Sequence, residues 1–199
     1  MAEIEGLVRA LREDVDAAKA AAALSNLACY SFDNQVRIAV AGGVPPLVQL
    51  LRDGSANAKR WAARALGNLA HGNDDNRILI AEAGGIPPLV QLVHDGSTEA
   101  RWAAWALVYL ADNNDANAVA IAAAAGLEAI VELARRGCVT VDNRSVVRDA
   151  GTVVWDAGIA TKRKAALVVA ALLRACVPDE LRSRVDVQDV IRGVIGPYL

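Results

Sequence analysis

Three side chains stand out in the stretch KRWAARALGNLA, which runs from Lys59 to Ala70. Trp61, Arg64 and Asn68 follow one another at spacings of three and four residues, so a helix would place them on one face. A carboxamide can both donate and accept hydrogen bonds, a guanidinium can pair with carboxylates, and an indole offers a large flat apolar surface. This combination favours a recognition surface, and the alternative is chance composition of a solvated helix face.

Residues that could carry catalysis or bind a metal are sparse. His71 and His94 are each expected at a helix C-terminus, where the helix dipole favours a protonated imidazole. Cys29, Cys138 and Cys176 are isolated from one another, show no metal-ligand spacing and are expected to be reduced. Cys29 and Cys176, late in long helices, are expected to be buried and inert. We therefore predict a protein that is not an enzyme, with no catalytic residue, no metal and no cofactor.

The composition restricts the fold class and the partners. Of the 199 residues, 54% are apolar but only 4% are aromatic, so the core must be built mainly from Ala, Leu, Val and Ile, which favours closely packed helices. A formal net charge of −2 gives no general attraction to nucleic acid. We expect no membrane span and no secretory signal. The isolated, odd-numbered cysteines favour a reduced, intracellular protein, which we expect to be cytoplasmic or nuclear.

The strongest pattern in the sequence is an internal repeat. GGVPPLVQLLRDGS begins at Gly42, and GGIPPLVQLVHDGS begins 42 residues later at Gly84. RWAARALGNLA, which begins at Arg60, returns as RWAAWALVYLA from Arg101, and KAAAALSNLA from Lys19 aligns with both. Units of about forty residues that recur in this way are typical of solenoids, in which stacked copies bury one continuous core.

Each unit is predicted to contain three helices. The first is short and ends at a glycine pair such as Gly84 and Gly85, which can adopt the left-handed conformation. The second begins with prolines, which the first turn of a helix tolerates. Ser55 and Ser97 stand where the third and longest helix needs an N-cap oxygen.

These motifs resemble the armadillo repeat family, whose units carry a short helix ending in EAGG, a helix like IPPLVQLL and a helix like AAWALxNLA. The resemblance covers residues 4–137 well and residues 161–176 weakly. It implies an all-α, right-handed superhelical solenoid of about four repeats, with a non-standard insertion in the last one.

The resemblance also implies a concave groove lined by the third helices, which holds an extended peptide. In the family, the Asn of AAWALxNLA bonds the peptide backbone and the Trp packs against its side chains. A competing interpretation is that Trp61 and Trp102 only pack against neighbouring repeats. The implied peptide-binding groove comprises Asn26, Arg60, Trp61, Arg64, Asn68, Arg101, Trp102, Trp105 and Tyr109.

Two departures from the family pattern bear on the partner. Arg64 stands where the family prefers Trp, and Tyr109 stands where it prefers Asn. No acidic residue occupies the aligned positions, which argues against a receptor for basic nuclear-import peptides. We therefore predict a non-catalytic protein-interaction scaffold that binds an extended, acidic or mixed-charge peptide.

The domain prediction is one solenoid over residues 1–199. Its parts are an N-terminal capping repeat (1–31), two repeats (32–72 and 73–112), a degenerate repeat (113–177) with an insertion at 138–160, and C-terminal capping helices (178–199). The insertion fits a small hairpin and a helix equally well. An alternative function is a self-associating adaptor, in which the insertion and the C-terminus form a homodimer interface.

Overall fold

The computed structural model describes residues 2–95 and 99–124, and these residues form α-helices joined by short turns, with no β-strand among them. The all-α prediction is therefore confirmed for this part of the chain. The helices are α1 (Ala2–Arg12), α2 (Ala17–Ala28), α3 (Phe32–Val40), α4 (Val44–Asp53), α5 (Ala56–Ala70), α6 (Asp74–Glu82), α7 (Ile86–His94), α8 (Ala100–Ala111) and α9 (Asp115–Ala123).

Local capping chemistry sets the helix boundaries. The Ser55 side chain accepts the backbone N–H of Ala58 at the start of α5, as the sequence predicts. The short helices α3, α6 and α9 begin in the same way, because an Asn or Ser side chain accepts the N–H three residues further on. These caps are Ser31, Asn73 and Asn114.

The glycine pairs turn the chain between the short helix and the second helix. Gly42 and Gly84 have φ values of +75° and +72°, a conformation that other residues adopt at a cost. Gly85 differs from the prediction, because its backbone adopts the right-handed helical conformation and the residue serves as the N-cap of α7. Prolines in the first turns of α4 and α7 complete the predicted arrangement.

The long helices α2, α5 and α8 stack side by side through the centre of the described structure. Leu24, Leu66 and Leu107 occupy the same position in these three helices, and each is fully buried. A fully buried leucine stabilises a fold by about 1.5–3 kcal/mol. The core therefore runs unbroken from one repeat to the next, as a solenoid requires.

A periodic set of asparagine side chains, half-buried in α3 and buried in α6 and α9, ties each short helix to the long helix before it. Asn34 donates through Nδ2 to the Leu27 carbonyl at 2.9 Å, and Asn76 donates in the same way to Leu69 at 3.0 Å. Asn117 repeats the contact with Leu110 at 3.0 Å. These bonds satisfy carbonyls that the end of an α-helix leaves without intrahelical partners.

Parts of the sequence prediction lie outside the described residues. They include the Ser97 cap, the repeat beyond Ala124, the insertion at 138–160 with its hairpin or helix, and the capping helices at 178–199. Within the described ranges, no helix is long and apolar enough to cross a membrane. The same ranges contain no cluster of His, Cys, Asp or Glu that could hold a metal ion.

Candidate functional site

Arginine and tryptophan side chains alternate across the surface between α5 and α8. The Arg64 guanidinium lies 5.2 Å from the ring centroid of Trp61 and 5.2 Å from that of Trp102. Arg60 lies 5.2 Å from Trp61, and Arg101 lies 5.3 Å from Trp102. We call this set (Arg60, Trp61, Arg64, Trp102 and Arg101) the arginine–tryptophan ladder.

Arg64 occupies the centre of the ladder, between rings that belong to successive repeats. Its partial burial lowers the pKa of the guanidinium below the usual value, and the neighbouring Arg60 charge lowers this pKa further, whereas Cys29 raises it. Each cation–π contact stabilises by about 0.5–1 kcal/mol at an exposed site and about 2 kcal/mol where water is excluded. The arginine that replaces the family's Trp thus still packs as a planar group against indoles.

A series of five aromatic rings begins at Trp102 of the ladder, and each ring contacts the next one edge to face. The ring centroids of Trp102 and Trp105 are 6.0 Å apart, and those of Trp105 and Tyr109 are 4.8 Å apart. Tyr109 then contacts His71 at 4.6 Å, and His71 contacts Tyr30 at 6.3 Å. All four interplanar angles lie near 90°, the T-shaped arrangement that the ring quadrupoles favour.

Trp105 forms part of the interface between α5 and α8. It is only 6% exposed, and its ring lies directly on the backbone of Gly67. A Cβ atom built on Gly67 would lie closer than 3.0 Å to ring atoms of Trp105. Tyr109 is also buried, at 8% exposure, between Trp105 and His71. Trp105 and Tyr109, which the sequence analysis placed in the peptide-binding groove, are thus buried beneath the surface of the long helices.

Asn68 is bonded to the preceding repeat. Its side chain is 4% exposed, and Nδ2 donates to the Ser25 carbonyl at 2.7 Å and to the Ser25 Oγ at 3.1 Å. Asn26, the equivalent residue of α2, is exposed. The difference arises because α2 is the first long helix of the described structure, so no earlier one lies beside Asn26. To bond a peptide through Nδ2, Asn68 would have to give up its contacts with Ser25.

Replacing Asn68 with alanine is expected to lower the free energy of unfolding by about 1–3 kcal/mol, because it leaves buried Ser25 groups without their donor. Chemical denaturation followed by circular dichroism measures the loss. Asn26→Ala is the matched control, since the same change at the exposed position should cost under about 0.5 kcal/mol. Equal losses at the two positions would contradict the assignment of Asn68 to the interface between repeats.

The sequence reasoning missed several residues of this site. Ser25 and Gly67 occupy equivalent positions of α2 and α5, and each receives a side chain of the next repeat. Tyr30 and His71 lie at the ends of these helices and extend the ring series. Gly67 was the available signal, because a glycine inside a helix costs about 1 kcal/mol relative to alanine and therefore suggests a packing reason.

The family model for the armadillo/beta-catenin-like repeat matches residues 31–71 and 73–101. The first match spans α3 to α5, and the second begins with α6 and ends in α8. Residues 31–71 and 73–101 are armadillo repeats. No curated protein matches this armadillo chain.

Solved structures place the armadillo chain among solenoids of the same fold. It is 30% identical to an engineered protein, covering 88% of this chain and 68% of that one, with a TM-score of 0.66. A designed armadillo repeat protein in complex with the peptide (KR)4 is 25% identical, with coverages of 98% and 82% and a TM-score of 0.63. The armadillo repeats only protein of Plasmodium falciparum shares the fold at 17% identity, with coverages of 89% and 79% and a TM-score of 0.59. The predicted armadillo solenoid is thus confirmed.

The charges of this armadillo stack are segregated by helix type. The long helices α2, α5 and α8 contain no Asp or Glu. Within them, the cationic side chains are Lys19, Lys59, Arg60, Arg64 and Arg101. Their surface therefore carries positive charge although the whole chain has a formal net charge of −2.

Proposed function

We propose that this armadillo chain is a non-catalytic protein-interaction scaffold that holds an extended peptide of acidic or mixed charge against α2, α5 and α8. The observation that carries the proposal is the arginine–tryptophan ladder on helices that contain no carboxylate. An intracellular location, cytoplasmic or nuclear, belongs to the same proposal and rests on the isolated cysteines.

The ladder offers both kinds of contact that an extended acidic peptide needs. Arg60, Arg64 and Arg101 present guanidinium groups, which pair with carboxylates through two parallel hydrogen bonds. The half-buried rings of Trp61 and Trp102 present apolar surface to the side chains between those carboxylates. The stacking with the rings holds the guanidinium groups in place before binding, which reduces the entropy lost on association.

The other predicted groove residues take different roles in this proposal. Asn26 is exposed and can bond the peptide backbone through its carboxamide. Asn68, Trp105 and Tyr109 are buried and would hold the repeats in register beneath the ladder.

The peptide (KR)4 in the complex of the designed relative is basic, so that protein supports binding of an extended peptide to an armadillo surface but not the sign of the charge. For this chain, the expected negative charge of the peptide follows from the three arginines of the ladder. Like charges that meet across an interface weaken binding, whereas opposite charges accelerate association and set the register. We therefore expect an acidic peptide to bind this chain more tightly than (KR)4.

The proposal is tested by fluorescence anisotropy with a labelled peptide of alternating Glu and Leu, and with (KR)4 as the opposite-charge probe. Arg101→Ala, at an exposed ladder position, is expected to weaken binding of the acidic peptide about threefold to tenfold, since tenfold corresponds to about 1.4 kcal/mol. Arg64→Ala should weaken it at least as much, because it removes the shared centre of the ladder. Raising the salt concentration should reduce the affinity, because exposed charges are screened.

Arg37→Ala is the matched control, because it removes the same charge from the short helix α3 and leaves the ladder intact. It should change the affinity less than twofold. If Arg37→Ala and Arg101→Ala have equal effects, or if (KR)4 binds as tightly as the acidic peptide, the proposed function is wrong.

A further inference from the structure

A second surface, formed by the short helices, carries an exposed apolar residue in each repeat. Val36 of α3, Ile78 of α6 and Val119 of α9 occupy equivalent positions and are 38%, 48% and 42% exposed. Val40 lies one turn beyond Val36 and is 83% exposed. An apolar side chain at one solvent-facing position of three successive repeats forms a row rather than scattered single residues, and such rows mark interaction sites.

Part of this row borders a groove between α3 and α6. The groove is open to solvent and has a volume of about 470 Å³. Val36, Val40 and Ile78 contribute apolar surface to it, and Asp75 and Glu82 contribute carboxylates. We call this surface the α3–α6 groove.

The charge of the α3–α6 groove is opposite to that of the ladder. The arginines of its two helices are already engaged, because Arg37 pairs with Asp33 at 3.5 Å, and the buried Arg77 pairs with Asp74 and Asp112. Asp75 and Glu82 are exposed, and neither forms an ion pair with a residue in the described ranges. The lining therefore combines apolar side chains with two available negative charges.

We infer that the α3–α6 groove binds a basic amphipathic segment of another protein. Its apolar residues would cover Val36, Val40 and Ile78, and its lysines or arginines would pair with Asp75 and Glu82. A helix of about ten residues is about 15 Å long, which matches the length of the nine-residue helices α3 and α6. Binding of an amphipathic helix in a groove between helices is a common mode of peptide recognition.

This inference is independent of the proposed function, because the two surfaces belong to different helices of each repeat. The ladder lies on α5 and α8 and carries positive charge, whereas the α3–α6 groove carries negative charge. One chain could thus hold an acidic segment and a basic segment at the same time, and loss of either site would leave the other intact.

The probe for the test is a labelled synthetic helix of leucine and lysine in an amphipathic pattern, titrated with the full chain in fluorescence anisotropy. The double variant Val40→Lys with Ile78→Lys is expected to weaken binding about tenfold or more, because it removes apolar contacts and adds like charge. Both positions are exposed, so the fold should persist, and circular dichroism verifies this. Val15→Lys, at another exposed valine that is 58% accessible, is the matched control and should change the affinity less than twofold.

The charge contribution is tested separately with Glu82→Gln, which is expected to weaken binding of the basic probe about threefold at low salt and less at high salt. A probe with glutamate in place of lysine should bind markedly more weakly than the basic one. The inference is wrong if the acidic probe binds equally well, or if the groove and control variants behave alike. It is also wrong if light scattering shows dimers that the Val40→Lys and Ile78→Lys change dissociates, because a second copy would then occupy the groove.

Discussion

Replacing Trp105 with alanine is expected to lower the free energy of unfolding by about 3–5 kcal/mol, the usual range for removal of a buried tryptophan. Trp105 lies between α5 and α8 and is 6% exposed, so its removal leaves a cavity where two repeats meet. It also removes the contacts of its ring with Trp102 and Tyr109. Chemical denaturation followed by circular dichroism measures the loss. A loss below about 1 kcal/mol would contradict the buried placement of this ring.

Gly67 provides a second measurement of the same interface. Alanine is favoured over glycine inside a helix by about 1 kcal/mol, but a methyl group here would overlap the Trp105 ring. Overpacking of a filled core costs about 1–3 kcal/mol, so Gly67→Ala is expected to destabilise the fold. Gly6→Ala in α1 is the control, because no atom lies within 4 Å of the new methyl group, and it should stabilise by about 0.5–1 kcal/mol.

The double variant distinguishes a contact between Gly67 and Trp105 from two separate effects. In the Trp105→Ala background the nearest remaining neighbour of the new methyl group is the Ala106 Cα at 3.3 Å, so Gly67→Ala should cost much less than it does with Trp105 present. The two changes would then be strongly non-additive, as expected for residues in contact. Additive losses would show that the ring of Trp105 does not rest on Gly67.

The sequence predicted the helix boundaries well because short-range chemistry controls them. The cap at Ser55 requires only the N–H of Ala58, three residues away. The turn at Gly84 requires only a residue that tolerates a φ of +72°. The repeat spacing then indicated which helices stack, because copies with the same apolar face bury one another.

The same reasoning could not decide which residues of the long-helix face are accessible. Asn26 and Asn68 are equivalent in the repeat, yet Asn26 is exposed and Asn68 bonds Ser25, 43 residues earlier in the chain. Trp102 and Trp105 lie one turn apart, but only Trp105 lies on Gly67 of the preceding long helix, α5. Helical spacing groups residues on a face, whereas burial depends on the side chains that the neighbouring repeat presents.

Replacing Arg77 with methionine is expected to lower the free energy of unfolding by about 2–4 kcal/mol, because it removes a hydrogen bond from a charged donor together with two ion pairs to exposed carboxylates. Arg77 is 3% exposed, and its Nε donates to the Ala70 carbonyl at the end of α5, at 3.1 Å. Its guanidinium also reaches Asp74 and Asp112, so one side chain joins α5, α6 and the end of α8. Methionine fills similar volume but removes this charged donor, so the Ala70 carbonyl keeps only the Asn73 N–H at 3.3 Å. A hydrogen bond that involves a charged group contributes about 1.5–3 kcal/mol.

Two further variants test this account of Arg77. Gln35 is the equivalent residue of α3, and its Nε2 donates to the Ala28 carbonyl at 3.3 Å. Arg77→Gln can therefore keep a donor for the Ala70 carbonyl and should lower the free energy of unfolding less than Arg77→Met does. Arg37→Met, at a less buried arginine whose ion pair with Asp33 spans 3.5 Å, should cost under about 1 kcal/mol.

Salt separates the two kinds of contact that Arg77 makes. Asp74 and Asp112 are 79% and 54% exposed at their side chains, so their attraction to Arg77 is weak and screened by ions. The bond to the Ala70 carbonyl is buried and should be insensitive to salt. The destabilisation caused by Arg77→Met should therefore persist at about 1 M salt, where the Debye length is about 3 Å. If it disappears there, the ion pairs rather than the carbonyl bond hold α6 to α5, and the assigned role of Arg77 is wrong.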